Sequence, residues 1–169
     1  ASNSQRRVVG IEKDERAARE AEKVLDEVIS GDVENPNLPF PGETFDCIIF
    51  ADILEHLKDP LLTLIFFKKY LRKDGYVICS IPNIRHYTVF IRLLTKGWKY
   101  DDYGLFDRTH LRFFSLQTMK ELIQDAGLSV ELIRAKVEAS KKARLLNRLL
   151  FNKTEEFVAM QYLIKARNR

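Results

Sequence analysis

The stretch Phe45-Asp-Cys-Ile-Ile-Phe-Ala-Asp-Ile-Leu-Glu-His-Leu57 decides how this chain folds. Its first seven residues form an apolar run with little alternation, which is typical of a strand buried on both faces of a sheet. Asp52 then opens a predicted helix, so acidic residues and His56 lie at the junction of strand and helix. In open α/β sheets, ligands bind where strands end and helices begin. This junction is therefore the first candidate site.

Further apolar runs alternate with helical patterns on both sides of this stretch. The predicted strands are 7–12, 28–30, 45–51, 76–81, 128–137 and 157–166, and the predicted helices are 15–27, 59–72, 83–96, 115–126 and 138–152. Strands that alternate with helices predict a mainly parallel sheet with helices on both faces. The strands 45–51 and 76–81 are expected to be adjacent, parallel and buried. Asp14 and Ser115 are expected to cap the helices that follow them. The last two strands are expected to form an antiparallel edge.

Composition narrows the class of protein. The chain has 169 residues, of which 46% are hydrophobic and 31% charged, which suits one globular domain. No apolar run approaches the roughly 20 residues that span a membrane. Cys47 and Cys79 lie in apolar runs, so we expect buried thiols in a reducing, cytoplasmic location. The net charge of +4 permits an anionic partner, but acids and bases are mixed and nucleic-acid binding is not favoured.

Five segments, taken in order, resemble one family. Besides 45–57 they are Val8-Val-Gly-Ile-Glu12, Gly31-Asp-Val33, Leu71-Arg-Lys-Asp-Gly-Tyr-Val-Ile-Cys-Ser-Ile-Pro82 and Gly104-Leu-Phe-Asp-Arg-Thr-His-Leu-Arg-Phe-Phe-Ser115. Together they resemble a class I S-adenosylmethionine-dependent methyltransferase of the ubiquinone-type, small-molecule group. The resemblance implies a Rossmann-like single domain over 1–169. It also implies methyl transfer to a small-molecule acceptor, with oxygen as the expected acceptor atom.

The resemblance assigns cofactor contacts to five positions. The acid that ends the second strand of the family binds the ribose hydroxyls, and that role falls on Glu12. Asp32 would bond the adenine amino group and Val33 would pack on the ring. Ala51 and Asp52 end the strand that resembles the fourth of the family, and they complete the expected cofactor site.

One part of the family pattern is missing from the chain. The seven glycines form no G-x-G pair, and only residues 1–6 precede the strand that resembles the second one of the family. We therefore expect a domain that lacks the first strand, the first helix and the glycine-rich loop. Such a chain would bind S-adenosylmethionine weakly or not at all by itself. Its unpaired sheet edges could support a homodimer.

The expected catalytic groups are His56 and His110, as general bases toward a hydroxyl acceptor. His86 is a weaker candidate, because it lies in a predicted surface segment. Asp52, Glu55 and His56 share one face of the predicted helix. Some relatives, among them ubiquinone-pathway and small-RNA methyltransferases, carry E-x-x-E-H here and bind a divalent metal, so Asp52, Glu55, His56 and His110 are alternative metal ligands. A capping box formed by Asp52 and Glu55 is the favoured interpretation. We accordingly expect no metal.

Two alternative functions remain open from the sequence. A domain without its cofactor loop could be a non-catalytic interaction module. A cluster of basic residues at 141–148 would favour an RNA methyltransferase if it lay near the pocket. Trp98, Tyr100 and Tyr103 could stack on a planar acceptor or simply anchor their loop to the core.

Overall fold

A computed structural model describes residues 6–138, 140 and 155–169 of the chain. These residues form two compact units, Ala1–Phe40 and Pro41–Arg169, and each is described here by itself. The predicted basic helix at 138–152, with the cluster at 141–148, falls largely outside the described residues. The prediction of one domain over 1–169 stays a prediction.

The first unit is a parallel two-stranded sheet with one helix. It contains β1 (Val9–Glu12), α1 (Glu15–Ala21) and β2 (Glu27–Ser30). Asp14 caps α1 as predicted, because its side chain accepts a hydrogen bond of 2.8 Å from the backbone N–H of Ala17. In the parallel register Glu12 lies beside Ser30, so the carboxyl ends of both strands share one edge.

The second unit is built on a four-stranded mixed sheet. Its elements in chain order are β3 (Phe45–Ala51), a 3₁₀ helix (Leu54–His56), α2 (Pro60–Lys68), β4 (Leu71–Pro82), α3 (Tyr87–Lys96), α4 (Leu116–Asp125), β5 (Ser129–Val137), α5 (Glu155–Val158) and β6 (Ala159–Arg167). The strand order is β3-β4-β6-β5. β3 and β4 are parallel, whereas β6 is antiparallel to both of its neighbours. The predicted α/β fold with an antiparallel edge is confirmed.

The parallel pairing of β3 with β4 is also confirmed, but the burial of β3 was predicted wrongly. Phe50 packs edge to face on Phe67 of α2, with ring centroids 5.6 Å apart. On the opposite face Cys47 is exposed and Ile49 is 65% exposed. The physical reason is that β3 is the end strand of this sheet, and only one of its faces meets a helix of the same unit. An apolar run therefore does not distinguish a central strand from an end strand.

The core of the second unit lies between β4, β6 and the helices α2 and α4. β4 is buried, as predicted, with Val77, Cys79 and Ile81 at most 1% exposed. Ser115 caps α4 and Gly127 follows it with φ +73°, a left-handed conformation that suits glycine. In the part of the chain described, no helix is long and apolar enough to cross the hydrocarbon core of a bilayer. Both cysteines are free thiols, and the cytoplasmic location stays a prediction.

Candidate functional site

The first unit brings two of the predicted cofactor residues to one sheet edge. Glu12 ends β1, and the backbone N–H of Gly31 donates to the Glu12 carbonyl over 2.9 Å, so Asp32 follows at the same edge. Glu12 Oε1 accepts from the Asp14 N–H at 2.9 Å. Asp32 accepts from the Glu34 N–H through Oδ1 and from Lys13 Nζ, at 2.6 Å, through Oδ2. Val33 is half-buried beside them.

In the second unit the chain turns sharply where β3 ends. Ala51 pairs with Ser80 in the register of β3 and β4. The next residue, Asp52, has φ +50°, a left-handed conformation that is strained for a non-glycine residue. Its Oδ1 accepts hydrogen bonds from Ser80 Oγ at 2.9 Å and from Gln161 Nε2. Donors from two neighbouring strands therefore hold Asp52 in this conformation. No local sequence pattern pointed to Gln161, because its strand lies far along the chain.

The predicted capping box at Asp52 and Glu55 does not form. No α-helix begins at Asp52, because the next element is the 3₁₀ helix, which starts after Ile53 without a side-chain cap. The side chain of Asp52 is turned to Ser80 and Gln161 instead. Glu55 is only 1% exposed, and its Oε2 has no hydrogen-bond partner among the residues described. The favoured interpretation of this carboxylate as a cap was therefore wrong.

Burial changes the protonation of Glu55. Removal from water raises the pKa of its carboxyl to about 7, and the nearby charges of Asp52 and Asp107 act in the same direction. An unpartnered buried carboxylate is costly to a fold unless it is protonated or meets a positive charge. Glu55 is therefore a group that can gain or lose a proton near neutral pH, or bind a cation.

The two predicted catalytic histidines lie next to Glu55. Their rings are in edge-to-face contact, with 4.7 Å between the centroids of His56 and His110. One potential ligand atom from each of Glu55, His56 and His110 lies within 4.8 Å of the other two. Burial first, and then the neighbouring His56, hold the pKa of His110 below its usual range. At neutral pH its ring is therefore neutral and has a nitrogen lone pair.

Backbone hydrogen bonds fix the segment that carries His110 against the 3₁₀ helix. The carbonyl oxygen of Glu55 accepts from the N–H groups of Leu111 and Arg112, at 2.8 and 2.9 Å. The guanidinium of Arg112 donates to the carbonyl of Lys58. These contacts make the end of β3 and the segment 107–112 one structural site, although they are distant in sequence.

Aromatic residues border this site on the side of His110. The ring centroids of Phe113 and His110 are 6.4 Å apart. Trp98 packs edge to face on Phe113 and Phe106, with 5.1 Å between ring centroids in each pair. Trp98 thus anchors its loop, while Tyr103 is 83% exposed. A stacking role of these rings toward an acceptor stays a prediction.

The third histidine was placed wrongly. The sequence indicated a surface position for His86, but its side chain is fully buried. Its Nδ1 lies 2.7 Å from Thr88 Oγ1, and its Nε2 lies 3.0 Å from the carbonyl of Glu138. Burial lowers its pKa. His86 therefore joins the start of α3 to the end of β5, and it has no place in the candidate site.

Comparison with known proteins identifies the domain. A family model described as a methyltransferase domain matches residues 2–133. The chain belongs to this family. An uncharacterized methyltransferase of Schizosaccharomyces pombe is 31% identical over an alignment of 84 residues, and the match covers 43% of this chain and 30% of that protein. The chain thus matches less than a third of the length of this curated relative.

Solved methyltransferases share the fold. A S-adenosylmethionine-dependent methyltransferase of Thermotoga maritima, described as a possible histamine N-methyltransferase, superposes with a TM-score of 0.68 at 21% identity. The match covers 95% of this chain and 72% of that one. A S-adenosylmethionine-dependent methyltransferase of Archaeoglobus fulgidus gives a TM-score of 0.64 at 17% identity, over 94% and 75% of the two chains. The predicted family and Rossmann-like fold are confirmed.

Proposed function

We propose that the protein transfers a methyl group from S-adenosylmethionine to a hydroxyl oxygen of a small molecule. The observation that carries this proposal is the cluster of Glu55, His56 and His110 directly after β3. Membership of the methyltransferase family supports the reaction type. The cluster supports an acceptor whose proton must be removed, which is the case for a hydroxyl group.

The residues at the edge of the first unit suit the ribose and adenine parts of the cofactor. Glu12 uses one carboxylate oxygen for the Asp14 N–H, and its other oxygen can accept from ribose hydroxyls. Asp32 is held in place by Lys13 and the Glu34 N–H, and a carboxylate retains further acceptor capacity for an amino group. Val33 would pack on the adenine ring. Ala51 and Asp52 would contact the cofactor at the end of β3.

The chemistry required of the protein is alignment and proton removal. S-adenosylmethionine supplies an electrophilic methyl group on its sulfonium. The protein must hold the acceptor oxygen in line with it and take the proton that this oxygen loses. The neutral imidazole of His110 can accept that proton, and His56 lies beside it. The ionisable Glu55 belongs to the same cluster, with a carboxylate oxygen within 4.8 Å of a nitrogen of each ring.

A divalent cation at Glu55, His56 and His110 is an alternative role for the same cluster. The failure of the capping box favours this alternative, because it leaves Glu55 Oε2 buried without a partner among the described residues. Asp52 lies outside the cluster, so the donors are one carboxylate and two imidazoles. That donor set suits a transition metal better than Mg²⁺. Titration calorimetry with Zn²⁺ and Mn²⁺ tests the alternative, and His110→Ala should abolish any heat of binding.

Transfer of a labelled methyl group tests the proposal itself. The full-length protein is incubated with methyl-labelled S-adenosylmethionine and a panel of hydroxylated, aminated and RNA acceptors. Label on hydroxylated small molecules is expected. Transfer of the labelled methyl group only to amines, or only to RNA, would overturn the assignment of a hydroxylated small molecule as acceptor. The absence of both cofactor binding and transfer to any acceptor would favour the non-catalytic module. Association into a homodimer through the edge of β3 stays a prediction, and sedimentation analysis would test it.

A further inference from the structure

A short chain of hydrogen bonds leads from Asp107 through Thr109 to His56. The Thr109 hydroxyl lies 2.6 Å from Asp107 Oδ1, and the Thr109 N–H donates to the same oxygen over 2.8 Å. Thr109 Oγ1 also lies 3.0 Å from His56 Nδ1, and the Thr109 carbonyl oxygen lies 3.2 Å from that nitrogen. Neither Asp107 nor Thr109 is among the predicted site residues.

The direction of these bonds follows from which atoms can donate. The ionised carboxylate of Asp107 only accepts, so the short contact requires the hydroxyl hydrogen of Thr109 to point toward it. The lone pairs of Thr109 Oγ1 then face His56. The carbonyl oxygen of Thr109 is also only an acceptor. Two acceptors around one ring nitrogen require that His56 Nδ1 carries the hydrogen.

We propose that Asp107 and Thr109 are positioning residues that fix His56 in the tautomer with hydrogen on Nδ1. The Nε2 atom of the neutral ring then carries the lone pair, and it is the nitrogen left for the cluster with Glu55 and His110. This inference rests on the proposed function, because it assigns the working nitrogen of His56. It holds whether that nitrogen takes a proton or binds a cation, since both roles need a lone pair.

The hydrogen bonds among Asp107, Thr109 and His56 exceed what is needed to hold the segment 107–112 in place. The N–H groups of Leu111 and Arg112 already fix this segment to Glu55. Thr109 is exposed, so its hydroxyl could be satisfied by solvent. A hydrogen bond from the Thr109 N–H to the Asp107 side chain is a common local motif, the Asx-turn. That motif does not require the additional contact between the Thr109 hydroxyl and His56.

Nitrogen-15 NMR of the imidazole nitrogens tests the inference without any methyl acceptor. At a pH where His56 is neutral, the wild-type protein should show a protonated Nδ1 and an unprotonated Nε2. Thr109→Val keeps the shape but removes the hydroxyl, so the signal should shift toward a mixture of tautomers. Thr109→Ser keeps the hydroxyl and is the matched control, with a wild-type spectrum. Hydrogen on Nε2 in the wild type, or identical spectra for Thr109→Val and wild type, would overturn the inference.

Kinetics then connect the tautomer to function. Thr109→Val should lower kcat about tenfold, the lower end for loss of an orienting partner, because the carbonyl of Thr109 remains. KM for S-adenosylmethionine should not change, and Thr109→Ser should restore kcat. The NMR spectra could agree with the inference while neither the wild type nor any variant transfers methyl groups. In that case the tautomer assignment stands and the proposed reaction fails. A fall in kcat that Thr109→Ser does not restore would contradict the positioning role.

Discussion

The imidazole rings of His56 and His110 lie edge to face, with 4.7 Å between their centroids and 65° between their planes. One ring follows the end of β3, and the other belongs to a segment that is fixed to Glu55 by backbone hydrogen bonds. With the buried carboxylate of Glu55 they form a compact group of three ionisable side chains.

Removal of either histidine should reduce methyl transfer. For His56→Ala and His110→Ala we expect kcat to fall by a factor of roughly 10²–10⁴, the usual contribution of a positioned general base. The dissociation constant for S-adenosylmethionine should stay within about twofold, because neither ring is assigned to the cofactor. Steady-state kinetics and calorimetry provide the two values. Gln117→Ala, on the exposed surface of α4, is the control, and loss of cofactor binding in either histidine variant would contradict the assignment.

The stability of the metal-free protein should fall as pH rises through the pKa of Glu55. Burial raises this pKa from about 4.5 to about 7. The folded state therefore holds a proton that the unfolded state has lost, and stability decreases between these two pH values. The decrease should be on the order of 2 kcal/mol. Urea denaturation at pH 5 and pH 8, with chelator present, measures it.

Glu55→Gln is the matched variant for this pH dependence. An amide cannot ionise, so the variant should not lose stability between pH 5 and pH 8. The lowered pKa values of His86 and His110 favour a gain in stability over the same range. At pH 8 it should be more stable than the wild type. Equal pH dependence in the two proteins would mean that Glu55 is not the group responsible.

Asp52 and Gln161 should be energetically coupled. Gln161→Leu removes a donor to the carboxylate of Asp52, and a cost of about 1 kcal/mol in unfolding free energy is expected. In an Asp52→Ala background the same substitution should cost much less, which gives a coupling energy of about 0.5–1 kcal/mol. Chemical denaturation of the wild type, the two single variants and the double variant measures this coupling energy. Additive effects would show that the hydrogen bond contributes nothing.

Two leucines of α2 test the placement of the core. Leu64 is 1% exposed, whereas Leu62, two residues earlier, is 62% exposed. Leu64→Ala should cost about 2–5 kcal/mol because it leaves a cavity, and Leu62→Ala should change stability by less than about 0.5 kcal/mol. Thermal denaturation compares them directly. Similar losses for both variants would mean that α2 presents a different face to the core.

Local chemistry explains which parts of the structure were predictable from the sequence. Ser115 and Asp14 were recognised as caps because a cap and its target N–H are close in sequence. The pairing of β3 with β4 followed from two apolar runs and a helix between them. The capping box at Asp52 failed because partners on other strands, Ser80 and Gln161, compete for the same carboxylate. No pattern of neighbouring residues in the sequence indicates this competition.

The burial of individual side chains was less predictable. Cys47 and Cys79 occupy similar apolar runs, yet Cys47 is exposed on the end strand and Cys79 is buried on a central strand. His86 looked like a surface residue, but its two ring nitrogens find partners at Thr88 and Glu138. In each case the deciding neighbour belongs to another element, so tertiary structure rather than periodicity determines the result.

Calorimetric titration of the full-length protein with S-adenosylmethionine, for wild type and Glu12→Ala, tests the proposed use of this cofactor most directly. Glu12 is assigned to the ribose hydroxyls, and loss of charge-assisted hydrogen bonds should cost about 1.5–3 kcal/mol. We predict saturable binding by the natural full-length wild type and affinity lower by roughly 10- to 100-fold in its variant. Weak or absent binding stays the prediction for residues 1–169 alone. An absence of heat for the wild type, or equal affinity for the two proteins, would contradict the proposed use of this cofactor.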